Sequence, residues 1–295
     1  MRSLKLTSLA VMLCILLAVA LPALVLDRDK SSGLSYEALN IYISQTGESR
    51  IMSLEEYTAH VCVPLAGQEA PLQMARALAI VARTRVLLYA NKACRGDYCT
   101  CPEHSLPYDD DVPQQVAEAV NSTAGEVIVA EGSLVPAFVH KSSYLATSSA
   151  YEILGEEISC LVSVSSPENA EEKEIFIPRD EFALVMQIKL GFEDYSYGDE
   201  ILADRGSTGR IKQISVKDSF VSGEAFASAM GAESTNISLE KTDGGYNLSF
   251  RGCGDGLGLS IEGAREMARK GSDAKEILSH YYQGCRIGRV YDIIR

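Results

Sequence analysis

The sequence is short of positive charge. Its 295 residues carry 27 Lys and Arg against 40 Asp and Glu, a formal net charge of -13. Phosphate backbones need a basic surface, so this balance excludes nucleic acid as the main partner. Internal repeats and low-complexity tracts are also missing, and hydrophobic residues make up 46% of the chain. That composition excludes disorder as the main state and allows a real core. No Leu-x-x-Cys closes the N-terminal apolar run, which argues against a lipoprotein anchor.

That apolar run is the first positive signal. Arg2 and Lys5 precede an uncharged stretch from Leu6 to Leu26, closed by Asp27, Arg28, Asp29 and Lys30. About 20 apolar residues suffice to span a bilayer, and flanking positive charge stays in the cytoplasm. The expectation is a cytoplasmic tip and membrane anchor over residues 1–30, with residues 31–295 as an extracytoplasmic domain of a single-pass cell-membrane protein. A cleaved signal peptide is the rival reading, because Ala18-Val19-Ala20 has the small-x-small pattern.

Eight cysteines are present, and Cys14 lies within the apolar run. The other seven are an odd count, so at least one is free or binds metal unless chains pair. Cys253 and Cys285 flank the C-terminal helical pair and are candidates for a disulfide in an exported domain.

The remaining pattern is mixed. A first strand is expected around Leu39 to Ile43. Ser53 followed by Glu56 is a capping-box pattern opening a helix over 53–60. Pro71 starts a second helix over 71–90, where Leu72, Ala75, Ala79, Ala82 and Val86 recur at helical spacing. The segment between them, Pro64 to Pro71, reads as an approach loop. A third helix spans Val112 to Val120, and residues 126–140 form a hairpin. Further strands and a short helix are expected in 158–165 and 173–190. A loop then leads into a strand before residue 216, followed by the short helix of "GEAFASAMGA". A strand, a glycine-rich turn and two helices close the chain. The fold expected is α+β, a helical core with flanking small antiparallel β-sheets, plus one N-terminal transmembrane helix.

Three ordered segments carry a family resemblance. They are "LEEYTAHVCVPL...LQMARALAIVARTRV", "AVNSTAGEVIVAEGSLVPAFVHKSSYLATSS" and "GDGLGLSIEGAREMARKGSDAKEILSHYYQG". Together they resemble the stage II sporulation protein D family, also called SpoIID/LytB or amidase-enhancer proteins, over about residues 35–295. The resemblance implies peptidoglycan lytic transglycosylases at the cell wall of endospore-forming bacteria. These act in engulfment beside the amidase SpoIIP and the membrane protein SpoIIM. One glutamate serves there first as general acid and then as base. Aligned without gaps, its Glu-Met-Pro triplet falls on Leu65-Ala66-Gly67, and Leu65 cannot protonate anything. A four-residue deletion would bring Glu69 to that place instead. The resemblance also implies a glycan-binding groove at Arg83, His140, Ser142, Ser143, Asp255 and Ser260. Several polar positions there depart from the family pattern. Gly254-Asp255-Gly256 stands for Gly-His-Gly, Ser260-Ile-Glu-Gly-Ala264 for Ser-Gln-x-Gly-Ala, and the paired glycines after His140 are lost.

Some relatives bind zinc through Cys and His in the loop before this family's Gln-Val-Tyr. Cys99 and His104 match that pattern, and Cys94 and Cys101 are extra sulfurs in the same loop. Either these four hold zinc as three thiolates and an imidazole, or two of the cysteines form a disulfide. Three functions remain open. One is a SpoIID-type protein that binds peptidoglycan or the engulfment machinery, a SpoIIP-like amidase and a SpoIIM-like membrane protein, with weak or no lytic activity. Another is an active lytic transglycosylase using Glu69, Glu262 or Asp255. The third is a structural envelope domain without glycan contact.

Overall fold

The computed structural model describes residues 38–44, 46–88, 98–99 and 107–293. The apolar run Leu6–Leu26 lies outside them, as do Cys94, Cys101 and His104; of Cys99 only the backbone is described. Among the described residues no helix is long and apolar enough to cross a membrane.

The chain forms a mixed α and β fold around two hydrophobic cores. The centre of the first is the helix Leu72–Leu88, whose alanines, Leu78, Ile80 and Val81 are buried on every side. A helix apolar all round must be enclosed by other elements. It packs against helices Leu54–Ala66, Gln114–Ser122, Ile261–Arg269 and Ala274–Tyr281 and against strand Glu126–Ala130. Thr84 ties helix to strand, donating to the Ile80 carbonyl at 2.7 Å while accepting from the Ile128 N–H at 2.9 Å.

The first helix begins as its cap residues require, with Ser53 Oγ accepting from the Glu56 N–H at 3.1 Å. It runs further than its spacing suggests, to Ala66, with Pro64 inside it. Pro64 is exposed, and the His60 carbonyl that it leaves without a helical donor accepts instead from the Asp109 N–H at 3.1 Å. Gly67, at φ +74°, ends the helix. The approach loop expected over 64–71 is therefore only the turn between Gly67 and Pro71.

Small sheets flank these helices. Strands Leu39–Ile43 and Glu48–Met52 pair antiparallel, with Tyr98–Cys99 parallel on the other side. The expected hairpin is real but short: Glu126–Ala130 turns through Glu131 and Gly132, both at positive φ, into Ser133–Leu134. Val139–His140 leaves it to pair in parallel with Leu259–Ser260, while Arg286–Arg289 joins the hairpin's other edge.

The second core lies between residues 172 and 250. Strands Glu172–Pro178, Gly245–Arg251 and Ile237–Lys241 form one antiparallel sheet, with Gly245–Arg251 central. Leu202–Arg205, Ile211–Val216 and Ser219–Ser222 form another. The helical run Arg179–Lys189 and the helix Gly223–Met230 complete this core. Phe182 stacks on Tyr246 with ring centroids 4.1 Å apart. The segment 158–165 makes only an isolated bridge, Ser165 to Ala146, and no strand.

Candidate functional site

The two cores meet at a layer of buried polar groups. Arg210, 1% exposed, donates through Nη1 to the Gly254 carbonyl at 2.8 Å and to Ser234 Oγ at 3.1 Å. Arg251 lies over the Tyr144 ring, 4.7 Å from its centroid. The glycine-rich turn is built for this contact. A side chain at Gly256 would stand 2.4 Å from Arg210 Nε, and one at Gly258 would stand 2.1 Å from the Phe138 carbonyl oxygen. At these two positions the missing side chains serve internal packing.

His140 sits on this layer, with Nε2 2.6 Å from Ser143 Oγ and Nδ1 3.1 Å from the Leu257 carbonyl. The carbonyl accepts only, so Nδ1 carries the proton and Nε2 accepts from the serine hydroxyl. Burial, reinforced by the Arg210 charge, pulls the imidazole down to about 3. His140 is therefore neutral. Ser143 offers its N–H to Glu168 Oε1 at 2.6 Å, and Ser260 Oγ donates to the same oxygen at 2.5 Å. Ser260 also accepts from the Gly263 N–H at 3.2 Å, capping the Ile261–Arg269 helix. The result is one chain of hydrogen bonds from Leu257 through His140, Ser143, Glu168 and Ser260 to a helix start.

Above this chain opens a polar cleft of about 530 Å³. Lys141, Ser142, Glu168, Glu171, Lys173, Glu233, Glu262 and Glu266 line it, with Gly252 and Cys253. Ser142 and Cys253 exchange backbone hydrogen bonds at 3.1 and 2.9 Å, and the Glu262 N–H donates to the Lys141 carbonyl at 3.0 Å. These ties fix three chain segments around one opening. Lys173 and Glu233 pair at 2.7 Å on its rim. Their hydrogen bond raises the Lys173 value and lowers that of Glu233, so both are charged. The cleft offers two ammonium groups and several carboxylates to a polar ligand. Among the described residues no group of His, Cys, Asp and Glu is arranged to hold a metal ion.

Most of the groove residues expected from the resemblance have other places. Arg83 is fully buried, and its guanidinium binds Glu55, the Glu126 carbonyl at 3.0 Å and the Val120 carbonyl at 3.1 Å. It joins two helices and a strand and cannot reach a glycan. Ser143 and Ser260 are fully buried and His140 is 5% exposed, all beneath the cleft. Asp255 accepts from the Leu257 N–H at 2.8 Å and shapes the glycine-rich turn. Of the six, Ser142 alone lines the cleft. Leu65 is buried in the first core at 8% exposure and does not line the cleft. Glu69 is exposed in the turn after the first helix. That turn is held by Gln115, which donates to the Ala70 carbonyl, and Glu69 is absent from the cleft lining. Glu262 does line the cleft, paired with Arg265 at 3.2 Å.

Sequence reading missed Glu168 and Arg210. Neither stands in a recognisable motif, and their roles come from partners 92 and 44 positions away in the chain. The suggested Cys253–Cys285 disulfide is also corrected. Cys253 sits at the cleft, whereas Cys285 lines a separate cavity with Leu278, Tyr282 and Arg286, and both are free thiols.

Fold and site define an α+β protein with a polar cleft where two cores meet. Residues 42–129 match the family model described as SpoIID, Stage II sporulation protein. The chain is 24% identical over 274 residues to stage II sporulation protein D of Bacillus amyloliquefaciens, covering 84% of this chain and 77% of that one. It is 24% identical over 175 residues to stage II sporulation protein D of Bacillus subtilis (strain 168), covering 59% of this chain and about half of that one, 51%. An uncharacterized protein of Brachyspira hyodysenteriae is 23% identical over 258 residues, covering 80% and 67%. The chain is a divergent relative of the stage II sporulation protein D family, as its motifs indicate.

Proposed function

We propose that this chain is a sporulation and cell-wall protein of the SpoIID type, which binds peptidoglycan in the 141–142/168–173/252–253/262–266 cleft without cleaving it. The observation that carries the reading is a pairing of gain and loss. A polar cleft takes Lys141, Ser142, Glu262 and Glu266 from segments that carry the resemblance, and the position that aligns with the family's acid is an apolar core residue, Leu65. Sugar hydroxyls and acetamido groups donate to carboxylates, and lysines donate to sugar oxygens and stem-peptide carboxylates. General acid catalysis needs a carboxylic acid within hydrogen-bond reach of the glycosidic oxygen. Glu69 is exposed in its turn and stands outside the cleft; Glu168 lines the cleft but is only 8% exposed, with Oε1 held by two donors and Oε2 buried without a hydrogen-bond partner among the described residues. As with the two Bacillus relatives named above, the setting is sporulation. The Leu6–Leu26 segment would hold the domain at the outer face of the membrane, within reach of a SpoIIP-like amidase and a SpoIIM-like membrane protein.

Co-sedimentation with purified sacculi tests the binding half. Wild-type protein should pellet with sacculi, and Lys141→Glu combined with Lys173→Glu should reduce the pelleted fraction severalfold while leaving the melting temperature within a few degrees. Equal pelleting of wild type and the double variant would refute the cleft as the binding surface. No pelleting of the wild type would favour the structural envelope reading.

A further inference from the structure

The cleft lining carries five carboxylates against two ammonium groups. Three of the five already have cations. Glu233 pairs with Lys173 at 2.7 Å, Glu262 with Arg265 at 3.2 Å and Glu266 with Arg269 at 2.8 Å. Lys141, Glu168 and Glu171 line the same opening and form no ion pair among the described residues. Glu168 is the unusual member. It is 8% exposed, and the Ser143 N–H and the Ser260 hydroxyl hold its Oε1 at 2.6 and 2.5 Å. Its Oε2 is buried with no hydrogen-bond partner among the described residues. The buried Arg210 does not serve it: Nη1 binds Ser234, Thr235 and the Gly254 carbonyl, and Nε and Nη2 have no partner among the described residues. A buried carboxylate oxygen is costly to leave without a donor or a counter-charge. The cleft therefore presents unsatisfied charges of both signs that do not meet each other.

We propose that the cleft takes a zwitterionic amino-acid group, an ammonium and a carboxylate on one carbon. The ammonium meets the Glu168 and Glu171 carboxylates, and the ligand's carboxylate meets Lys141. This deepens the reading of the cleft as the peptidoglycan site and rests on it, since a stem peptide with an amine left free of cross-links carries such a group. Sugar hydroxyls can donate to the exposed Glu171 but bring no charge to Glu168. An ammonium brings both, and hydrogen bonds between charged partners are the strong ones. The volume of about 530 Å³ is that of a small-molecule site. Glu168→Gln is a clean probe of the acceptor. The Ser143 N–H and the Ser260 hydroxyl both need an oxygen at the Oε1 position, so the amide nitrogen takes the place of Oε2. The variant keeps the wall in shape while it loses the charge and turns an acceptor into a donor.

The test is calorimetric titration of the whole chain with 2,6-diaminoheptanedioate and with heptanedioate, which has the same carbon chain and carboxylates but no ammonium. The diamino compound should bind roughly tenfold or more tightly than heptanedioate. Glu168→Gln and Glu171→Gln should each remove most of that difference, and Lys141→Met should weaken both compounds. Glu171 is exposed, so its variant carries the test if Glu168→Gln fails to fold by circular dichroism. Equal affinity for the two compounds, or no binding of the diamino compound, overturns the proposal. So does wild-type discrimination in folded Glu171→Gln and Glu168→Gln. Sacculi separate this outcome from that of the peptidoglycan reading. Pelleting that falls severalfold when sacculus amines are acetylated supports a wall-borne zwitterion. Discrimination between the soluble compounds by a protein that does not pellet, or that pellets equally with acetylated sacculi, supports the zwitterion site with a free amino acid as its ligand. Pelleting without discrimination keeps the peptidoglycan reading and sinks this one.

Discussion

Replacing Arg83 by methionine should cost stability and leave glycan binding alone. The guanidinium is fully buried and serves three partners at once. Methionine fills the space of the stem but leaves the Val120 and Glu126 carbonyls and the Glu55 carboxylate without their donor. Glu55 in turn accepts from the Gly125 N–H at 2.9 Å, so the turn into strand Glu126–Ala130 loosens with it. Breaking a buried ion pair from one side costs about 3–5 kcal/mol. The Glu55 side chain keeps 28% of its exposure, so water recovers part of that loss. A net cost of about 2–4 kcal/mol follows, which lowers the melting temperature by about 5–15 °C in a domain of this size. Arg83→Lys should be nearly as damaging, because one ammonium cannot reproduce the planar fork that spans three acceptors. Differential scanning calorimetry reads the shift, and sacculus co-sedimentation at 15 °C reads binding. A melting temperature within about 2 °C of wild type, combined with lost sacculus binding, would place Arg83 in a groove and refute the reasoning.

Other consequences are as direct. Gly263→Ala should destabilise by about 2 kcal/mol or more, because the new Cβ would stand 2.0 Å from Tyr281 Oη and 2.6 Å from Ser166 Oγ in a closed interior; urea denaturation measures it. His140 gives a pH signature. Its folded value of about 3 lies below the ordinary 6.5, so the unfolded chain binds the extra proton between those values. Its contribution is fully present above pH 6.5 and is lost as the pH falls towards 3, at up to about 1.4 kcal/mol per pH unit. Urea midpoints at pH 4.5 and 6.5 should therefore lie closer together in His140→Gln than in wild type. Glu69→Gln should change neither the melting temperature by more than about 1 °C nor sacculus binding, as expected of an exposed turn carboxylate.

Local signals were legible where one element alone decides them. Ser53 and Glu56 announced their cap, the alanine-rich stretch announced a helix that others approach closely, and the Glu131-Gly132 turn announced a hairpin. The second core was not legible for a physical reason. Strand Leu202–Arg205 is exposed throughout, so it lacks the alternation that marks a half-buried strand. The residues that close that core, such as Phe182, Ile214, Phe226 and Tyr246, come from separate segments that pair only in three dimensions. The site suffered in the same way. A family motif marks Arg83, His140 and Ser260 as polar residues to notice, but a motif does not say whether a polar residue faces a ligand or a buried partner. Glu55 sits 28 positions from Arg83, Glu168 sits 92 from Ser260 and Leu257 sits 117 from His140, and those partners turn the three residues inward. Leu65, the apolar residue at the position expected for an acid, is buried in the first core.

Digestion of purified peptidoglycan by the purified protein tests the central claim most directly. Soluble products are separated and weighed by mass spectrometry after overnight incubation, with a known lytic transglycosylase as the positive control. A protein that binds through the cleft without cleaving the glycan releases no anhydro-muramyl fragments above the no-enzyme blank, although it pellets with the sacculi. Anhydro-muramyl products that appear with wild-type protein and disappear with Glu69→Gln, Glu168→Gln or Glu262→Gln would contradict the account.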